Sequence, residues 1–401
     1  MADDKVRVLV VGSGFGGVKT ARELANHPKI KITILTDQEM FRYGATIWRT
    51  AAGHRKRESY MPVANLIQGY RNVNLVFDTA TKIDRDARVV TTKSNKRFSY
   101  DYCVIAVGSV TSYYNIEGLE KYSYNVKSHE GLRKLQRHLH DELLSTGVLD
   151  KNYVVVGGGP TGVELSASLK EYMKKVARYH HLQRSKVNIE LIEASPRLLP
   201  TMSVRASKLT AKRLRKLGVI TMPNKKVEGE TKNSLIVDKR SIPTHTVIWT
   251  AGVTNNPFFS QNPGQFLLDK RNKVIVDRHL QVDPYTFVIG DNASTPHSGL
   301  AITAIHDAKH VASFIKHRLS GTKVSPYKPH EPLIAIPVGN GWALVQKGKW
   351  IITGKLASAI RILYDLVGYA YIMGWGPALE LWHGRHKLEE DCPTCQLELA
   401  K

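Results

Sequence analysis

The chain has 401 residues, is 42% hydrophobic, and carries 58 lysines and arginines against 35 aspartates and glutamates, a formal charge of +23. That apolar share supplies cores for two or three domains and excludes a disordered tail protein, while the charge favours a polyanionic partner, either nucleic acid or the phosphates of an anionic membrane. Three cysteines, Cys103, Cys392 and Cys395, exclude a disulfide framework and suit a reducing compartment.

The few residues ahead of Val6 are read as leaving no room for a secretion signal. Val6 to Val11 is a continuous apolar run, the pattern of a strand buried on both faces. A helix is predicted from about Gly16 to Asn26 and a strand from Ile30 to Leu35, which makes a βαβ unit. Residues 73 to 108 hold short alternating runs (Leu75 to Phe77, Arg88 to Thr92, Phe98 to Tyr100) that read as a β-meander, and then an apolar strand, Tyr102 to Val107, ending in Gly108-Ser109. A second βαβ unit starts at Tyr153, with a helix from about Thr161 to Ala177 and a strand from Val187 to Ile192. A second meander is expected around Val219 to Val237, then a strand, Val247 to Trp249, ending in Thr250-Ala251-Gly252. Thr286 to Ile289 is the last buried strand, ending in Gly290-Asp291, and a helix follows from about Leu300 to Leu319. Pro326, Pro329 and Pro332 mark a linker into a C-terminal segment. The longest uncharged apolar run, Leu366 to Leu379, reads as too short and too broken by Gly and Pro to span a bilayer.

The order places the second unit inside the first, an α/β fold of two Rossmann-like dinucleotide-binding domains. The expected divisions are 1–112 and 253–322 for the first domain, 113–252 for the second and 323–401 for a C-terminal helical segment.

Each βαβ unit turns through a glycine loop, Gly12-Ser13-Gly14-Phe15-Gly16-Gly17 and Gly157-Gly158-Gly159-Pro160-Thr161-Gly162. In such loops the first glycine permits the tight turn, the second lets backbone approach a pyrophosphate, and the last lets helix and strand pack closely; the helix N-terminus then holds the phosphates. Two loops in one chain predict two dinucleotides and electron transfer between them. The ribose-binding acid of the first loop is expected at Asp37, although Thr36 falls as naturally in that register. For the second loop it is Glu193, whose carboxylate would accept from a ribose 2′-hydroxyl and repel a 2′-phosphate, which favours NADH over NADPH. Asp291, after a strand and Gly290, could bind a polyol hydroxyl of a flavin, or simply act as an N-cap; the dipole of the helix starting near Leu300 would favour a reduced, negatively charged ring.

With these motifs the chain resembles the flavoproteins with two dinucleotide-binding domains, and within them the type II NADH dehydrogenases (NADH:quinone oxidoreductases). The resemblance runs from about Lys5 to His386. Besides the two loops and Val163-Glu164-Leu165 it includes Pro62-Val63, Tyr102 to Ser109, Asn115-Ile116-Glu117-Gly118, Trp249 to Val253 and Gly290-Asp291. It implies FAD held by Gly12, Gly14, Phe15, Gly16, Gly17, Asp37, Ala106, Gly108, Gly290, Asp291 and Ala301, and NADH held by Gly157, Gly159, Pro160, Thr161, Gly162, Glu193, Ala251 and Gly252. It also implies hydride transfer to the flavin, quinone as acceptor without proton pumping, Glu164 near the reacting rings and a homodimer. Disulfide reductases and peroxide-type oxidases of this superfamily carry cysteines after the first helix, and this chain has none between Gly17 and Tyr102. Cys103 reads as packing, so the electron acceptor must be external.

The chain also departs from the family. The glutamine-bearing pattern usual at the quinone site reads here Ala301-Ile302-Thr303-Ala304-Ile305-His306-Asp307-Ala308, and the segment near the first ribose is altered to Met40-Phe41-Arg42-Tyr43-Gly44. Ile302 and His306 are the catalytic candidates on that helix, His306 either polar towards a quinone carbonyl or an ordinary helix histidine.

In the C-terminal segment Leu356, Ile360, Leu363 and Val367 share a helical face, with Tyr364, Tyr369, Tyr371, Trp375 and Trp382 nearby and Lys355, Arg361, Arg385, His386 and Lys387 flanking. This fits an anchor lying on an anionic lipid surface, at the cytoplasmic face of the cell membrane, or else a helix packed on the domains or in a dimer. Lys170, Lys174, Lys175, Arg178, Arg184 and Lys186 read as a solvated face. Cys392-Pro393-Thr394-Cys395 lacks a matching pair for zinc, so no metal is expected. Alternative readings are a soluble flavoprotein reductase of an iron–sulfur protein, or an NADH-binding flavoprotein like the apoptosis-inducing-factor group, although no nucleic-acid motif supports a nucleic-acid partner.

Overall fold

The computed structural model describes residues 5–146, 152–179 and 187–386; Arg184, Lys186, Lys387 and the Cys392/Cys395 tail lie outside them. In chain order the elements that position the site are β1 (Val6–Val11), α1 (Phe15–Leu24), β2 (Ile30–Thr36), β3 (Val73–Phe77), β4 (Tyr102–Ile105), β5 (Ser109–Thr111), β6 (Tyr124–Asn125) and α2 (His129–Thr146). Then come β7 (Asn152–Val156), α3 (Pro160–Tyr179), β8 (Asn188–Ile192), α4 (Val204–Leu217), β9 (Val219–Met222), β10 (Thr246–Trp249), β11 (Val253–Asn255), β12 (Gln281–Asp283), β13 (Thr286–Val288) and α5 (Ala301–Leu319). The chain continues through β14 (Ile334–Pro337), β15 (Ala343–Lys347), β16 (Trp350–Gly354), α6 (Lys355–Met373) and α7 (Trp375–His383).

The apolar run of β1 is continuous because both faces of its sheet are covered. Val8, Val10, Ile32, Ile34, Val104 and Phe287 pack on one face against Leu24, Val311 and Ile315 of α1 and α5. Leu9, Val11, Leu35, Ile105 and Val288 pack on the other against Ile83, Val90 and Phe258. The sheet order is β12-β13-β4-β1-β2-β3, parallel except for the edge strand β12. The second sheet, β6-β10-β7-β8-β9, is parallel throughout. An antiparallel pair, β5 with β11, joins the two at the points where the chain crosses between them.

Both expected meanders begin one strand later than the sequence suggests. Leu75 to Phe77 belongs to β3, and Val219 to Met222 is β9; each is a parallel edge strand. The meanders proper are Ala80–Asp84, Val89–Thr92, Arg97–Ser99 and Val227–Thr231, Ser234–Val237, Arg240–Pro243. A half-exposed edge strand alternates much as a meander strand does, so the local pattern does not reveal its distant partner.

After the proline linker comes an antiparallel sheet, β14-β15-β16, which the sequence reading did not anticipate. Helix α6 starts well before the apolar run Leu366 to Leu379 and is, by length and composition, long enough to cross a bilayer. Arg361 is not a surface flank of this helix. It is 5% exposed, pairs with Asp365 one turn on, and donates to the Ala45 carbonyl at 2.6 Å. Tyr369 is also buried, stacked on Tyr43 with centroids 4.2 Å apart, and the Trp382 indole donates to the Ile362 carbonyl. One side of α6 is therefore protein core.

Candidate active site

Both glycine loops sit at the carboxyl ends of parallel strands, where open α/β sheets bind ligands. In the first, Gly12 turns at φ +102°, and a Cβ on Gly17 would overlap the Gly12 carbonyl, so helix and strand touch backbone to backbone. Gly14 faces open space, and α1 begins there with no side-chain cap. That leaves uncapped N–H groups and a helix dipole beside a cradle that no protein side chain fills. The cradle and donor set fit a pyrophosphate.

Neighbouring strand ends close around this loop. A Cβ on Gly16 would meet the Ile289 side chain and come near Ala106. Asn292, fully buried, binds Gly108 through both its amide atoms at 2.8 Å, and Ser109 donates to Asp291 at 2.7 Å. The Gly290 N–H donates to Asp307, and α5 starts at Ala301 without a side-chain cap. Thr36 ends β2 with its hydroxyl bonded to Ser13 at 2.8 Å, whereas Asp37 is exposed just beyond. Of the two, the carboxylate is the group open to a ligand.

The second loop repeats this geometry. Gly157 turns at φ +113° against Ala251, a Cβ on Gly162 would overlap the Gly157 carbonyl, and Gly159 faces open space. Pro160 is the first residue of α3, where its missing N–H costs nothing, and Thr161 follows. Glu193 accepts from Gly158 N–H and Ser195 N–H, both at 2.6 Å, so the expected ribose acid also fastens the loop. Its remaining lone pairs stay available to a hydroxyl.

Glu164, in α3, is 8% exposed, and burial pushes its carboxyl up to about 8. The Arg361 guanidinium opposes this and the Asp365 carboxylate adds to it. One guanidinium thus faces two carboxyls, and its hydrogen bond goes to Asp365. Burial outweighs the guanidinium, which favours the protonated form of Glu164 at neutral pH. Tyr43 closes the same space, its hydroxyl pushed far up by burial. The sequence does carry a signal for Arg361 and Asp365, namely opposite charges four apart inside an apolar helix, and it was read instead as a flank of the lipid face.

Ile302 and His306 lie half-buried on the first two turns of α5. His306 stacks on His330 of the proline linker, 4.7 Å between centroids, and burial followed by the His330 charge lowers its pKa. Cys103 is fully buried inside β4, its thiol pushed up by burial. Among the described residues there is no group of three metal-ligating side chains.

The profile of the pyridine nucleotide-disulphide oxidoreductase family matches residues 6–308. The type II NADH:quinone oxidoreductase of Staphylococcus aureus (strain NCTC 8325 / PS 47) is 27% identical over 406 residues, covering 95% of this chain and 99% of that protein. Among solved structures, NDH2 from Plasmodium falciparum in complex with NADH superposes with TM-score 0.83 at 17% identity, over 95% of this chain and 99% of the other. The sulfide:quinone oxidoreductase of Aquifex aeolicus gives 0.78 at 23%, over 94% of each. At those identities the structural likeness is one of fold.

Gly159→Ala should leave thermal stability within about 0.5 kcal/mol, because the added methyl meets no protein atom. It should nonetheless weaken NADH binding about tenfold or more by filling the cradle; titration of the purified protein checks this, and unchanged affinity would remove the pyrophosphate from Gly159. Glu164 has a folded pKa above its ordinary 4.5, so the stability it lends is complete below that value and is lost as pH rises through about 8. Glu164→Gln should therefore gain roughly 3–5 kcal/mol over the parent at pH 9 and much less at pH 5, read from denaturation midpoints.

Proposed function

The chain belongs to the pyridine nucleotide-disulphide oxidoreductase family, and we propose that within it this protein is an FAD-dependent NADH:quinone oxidoreductase. The observation that carries the reading is the pair of open glycine cradles at the strand ends of two sheets joined by the β5–β11 pair, with Cys103 sealed inside β4. A thiol buried in apolar surroundings is inert, so among the described residues electrons arriving at the first cradle meet no reactive thiol.

Bound FAD would supply two-electron chemistry on the NADH side and release to an external acceptor on the other. The protein's own groups orient and tune. The loop Gly12 to Gly17, with Asp37, Ala106, Gly108, Gly290, Asp291 and the start of α5 at Ala301, would hold the flavin dinucleotide. The N-terminus of α5 favours negative charge beside it. Gly157 to Gly162, Ala251 and Gly252 would hold NADH, and the Glu193 carboxylate disfavours the extra phosphate of NADPH. Glu164 holds a proton at a carboxyl oxygen at neutral pH, available to a quinone oxygen as it gains electrons. His306, with Ile302, borders the same helix end.

We extend the reading to peripheral seating on an anionic membrane, at the cytoplasmic face, as a homodimer without a nucleic-acid partner. Leu356 is 64% exposed, Leu363 56% and Trp375 60%, an apolar strip on α6 and α7 beside Lys355. Such a strip with cations and a tryptophan suits the headgroup plane.

Anaerobic NADH should bleach a yellow protein, and a short-chain quinone should reoxidise it with turnover while ferredoxin should not. A colourless protein after FAD supplementation, or turnover with ferredoxin alone, overturns the assignment. Replacing Leu356, Leu363 and Trp375 with Ser should weaken sedimentation with phosphatidylglycerol vesicles about tenfold or more, with folding intact because these side chains are mostly exposed. Equal binding would remove α6 and α7 from the membrane contact.

A further inference from the structure

The chain crosses between the two sheets twice, along β5 and along β11, and those strands pair with each other. A single loop grips both. At the last residue of β6, the Asn125 amide donates to the Thr111 hydroxyl at 3.1 Å, at the end of β5. Two residues on, the Lys127 ammonium donates to the Gly252 carbonyl at 3.2 Å, immediately before β11. Gly252 is held at φ +70° with Ser112 and Tyr114 against it, so its carbonyl direction is strongly constrained. The Ser112 N–H shares that carbonyl.

Lys127 is half-buried, and three charged or polar groups face it from different elements. Asp291, on the turn after β13, attracts its ammonium; Arg42, in the short strand Met40–Arg42, repels it while donating to the Lys127 backbone carbonyl; Gly252 accepts from it. Asp291 belongs to the flavin-side strand ends and Gly252 to the NADH-side ones. Lys127 therefore bonds to the NADH-side half and is drawn electrostatically towards the flavin-side one, from the segment that joins them. Burial first, then Arg42, pushes its pKa down to about 8, with Asp291 opposing.

We propose that Lys127 is a positioning residue: its ammonium ties the Gly252 carbonyl to the Asp291 side of the seam and so sets how closely NADH in the second loop approaches the flavin in the first. This rests on the NADH:quinone reading above. Deprotonation of Lys127 removes the charge that attracts Asp291 and weakens the bond to Gly252, so the hinge loosens as pH rises through about 8. An arginine would stay charged there.

The test uses the FAD-loaded full chain with Lys127→Met and Lys127→Arg, each first checked for flavin content and melting temperature. In the parent, the rate of flavin bleaching by saturating NADH should fall about tenfold between pH 7 and pH 9, and amide exchange in 109–112 and 252–255 should speed up over the same interval. Lys127→Met should be slow and fast-exchanging at both pH values, with reoxidation by quinone unchanged. Lys127→Arg should restore bleaching at pH 7 and lose the decline at pH 9. A Lys127→Met protein that keeps the parent's pH profile and exchange overturns the proposal, as does a Lys127→Arg protein that keeps the decline. Should Met at 127 not fold, the arginine profile alone decides. NADH failing to bleach the parent at any pH would instead overturn the functional reading.

Discussion

Backbone meeting backbone at two glycine turns is the constraint from which this molecule's architecture follows. At Gly12/Gly17 and at Gly157/Gly162 the first turn of a helix lies so close to the preceding strand that a Cβ would overlap a carbonyl oxygen. That closeness packs each helix tightly on its sheet, with Val18 and Ala21, and Val163 and Leu165, buried behind it. It also aims the helix N-termini at the space beyond the strand ends. Packing and the proposed phosphate binding are thus two consequences of one geometric choice. The open positions, Gly14 and Gly159, carry the contrast: they touch nothing, so protein packing gives no reason for glycine there, whereas close approach of a ligand does.

Two dinucleotide loops on separate sheets would be independent without something to register them. The β5–β11 pair alone is short, and the contacts that stiffen it come from three places: Asn292 reaches Gly108 and Asn255, Asn125 reaches Thr111, and Lys127 reaches Gly252. These are polar bonds at a seam, each worth about 1 kcal/mol and more where charged. A seam held this way can shift slightly, which a buried apolar interface resists. The C-terminal segment adds a different fastening. Arg361 and Asp365 reach the segment around Ala45 and Tyr43 and, electrostatically, Glu164 of α3, so three parts of the chain meet at one buried cation.

What could be read in the sequence was whatever depends on local pattern. The apolar runs of β1, β4, β7 and β13, the glycine spacings and the helices that follow announce themselves within a dozen residues, because both faces of each sheet are covered and the turns demand glycine. Edge strands β3 and β9 were misjudged because their partners are remote and their alternation resembles a meander. The sheet β14 to β16 was missed behind the prolines. Thr36 against Asp37 stayed open until the Ser13 bond showed which of them is occupied. Arg361 was misplaced for a physical reason: an arginine in an apolar helix suits either a headgroup or a buried pair, and only the distant Ala45 carbonyl and Glu164 distinguish them. Lys127 was invisible, since its partners Gly252 and Asp291 lie far along the chain.

Helix α6 shows how the proposed anchor can be amphipathic without having a polar face in the usual sense. Counting by the 3.6-residue turn, Arg361, Asp365, Tyr369 and Ile372 fall together on one side, and all four are engaged with protein. Leu356 and Leu363, two turns apart, fall on the opposite side and are open to solvent. The ion pair therefore faces inward and the leucines outward, the reverse of a surface helix on a soluble domain. A buried pair contributes little net stability, because desolvation offsets most of its attraction. Its effect here is rotational. A helix that is apolar nearly all round could settle in several orientations, and turning this one would pull the guanidinium off the Ala45 carbonyl and away from Glu164, leaving those buried groups without it. That penalty fixes which leucines point away from the protein, and it ties their direction to the same cation that partly offsets the burial-driven rise in the Glu164 pKa.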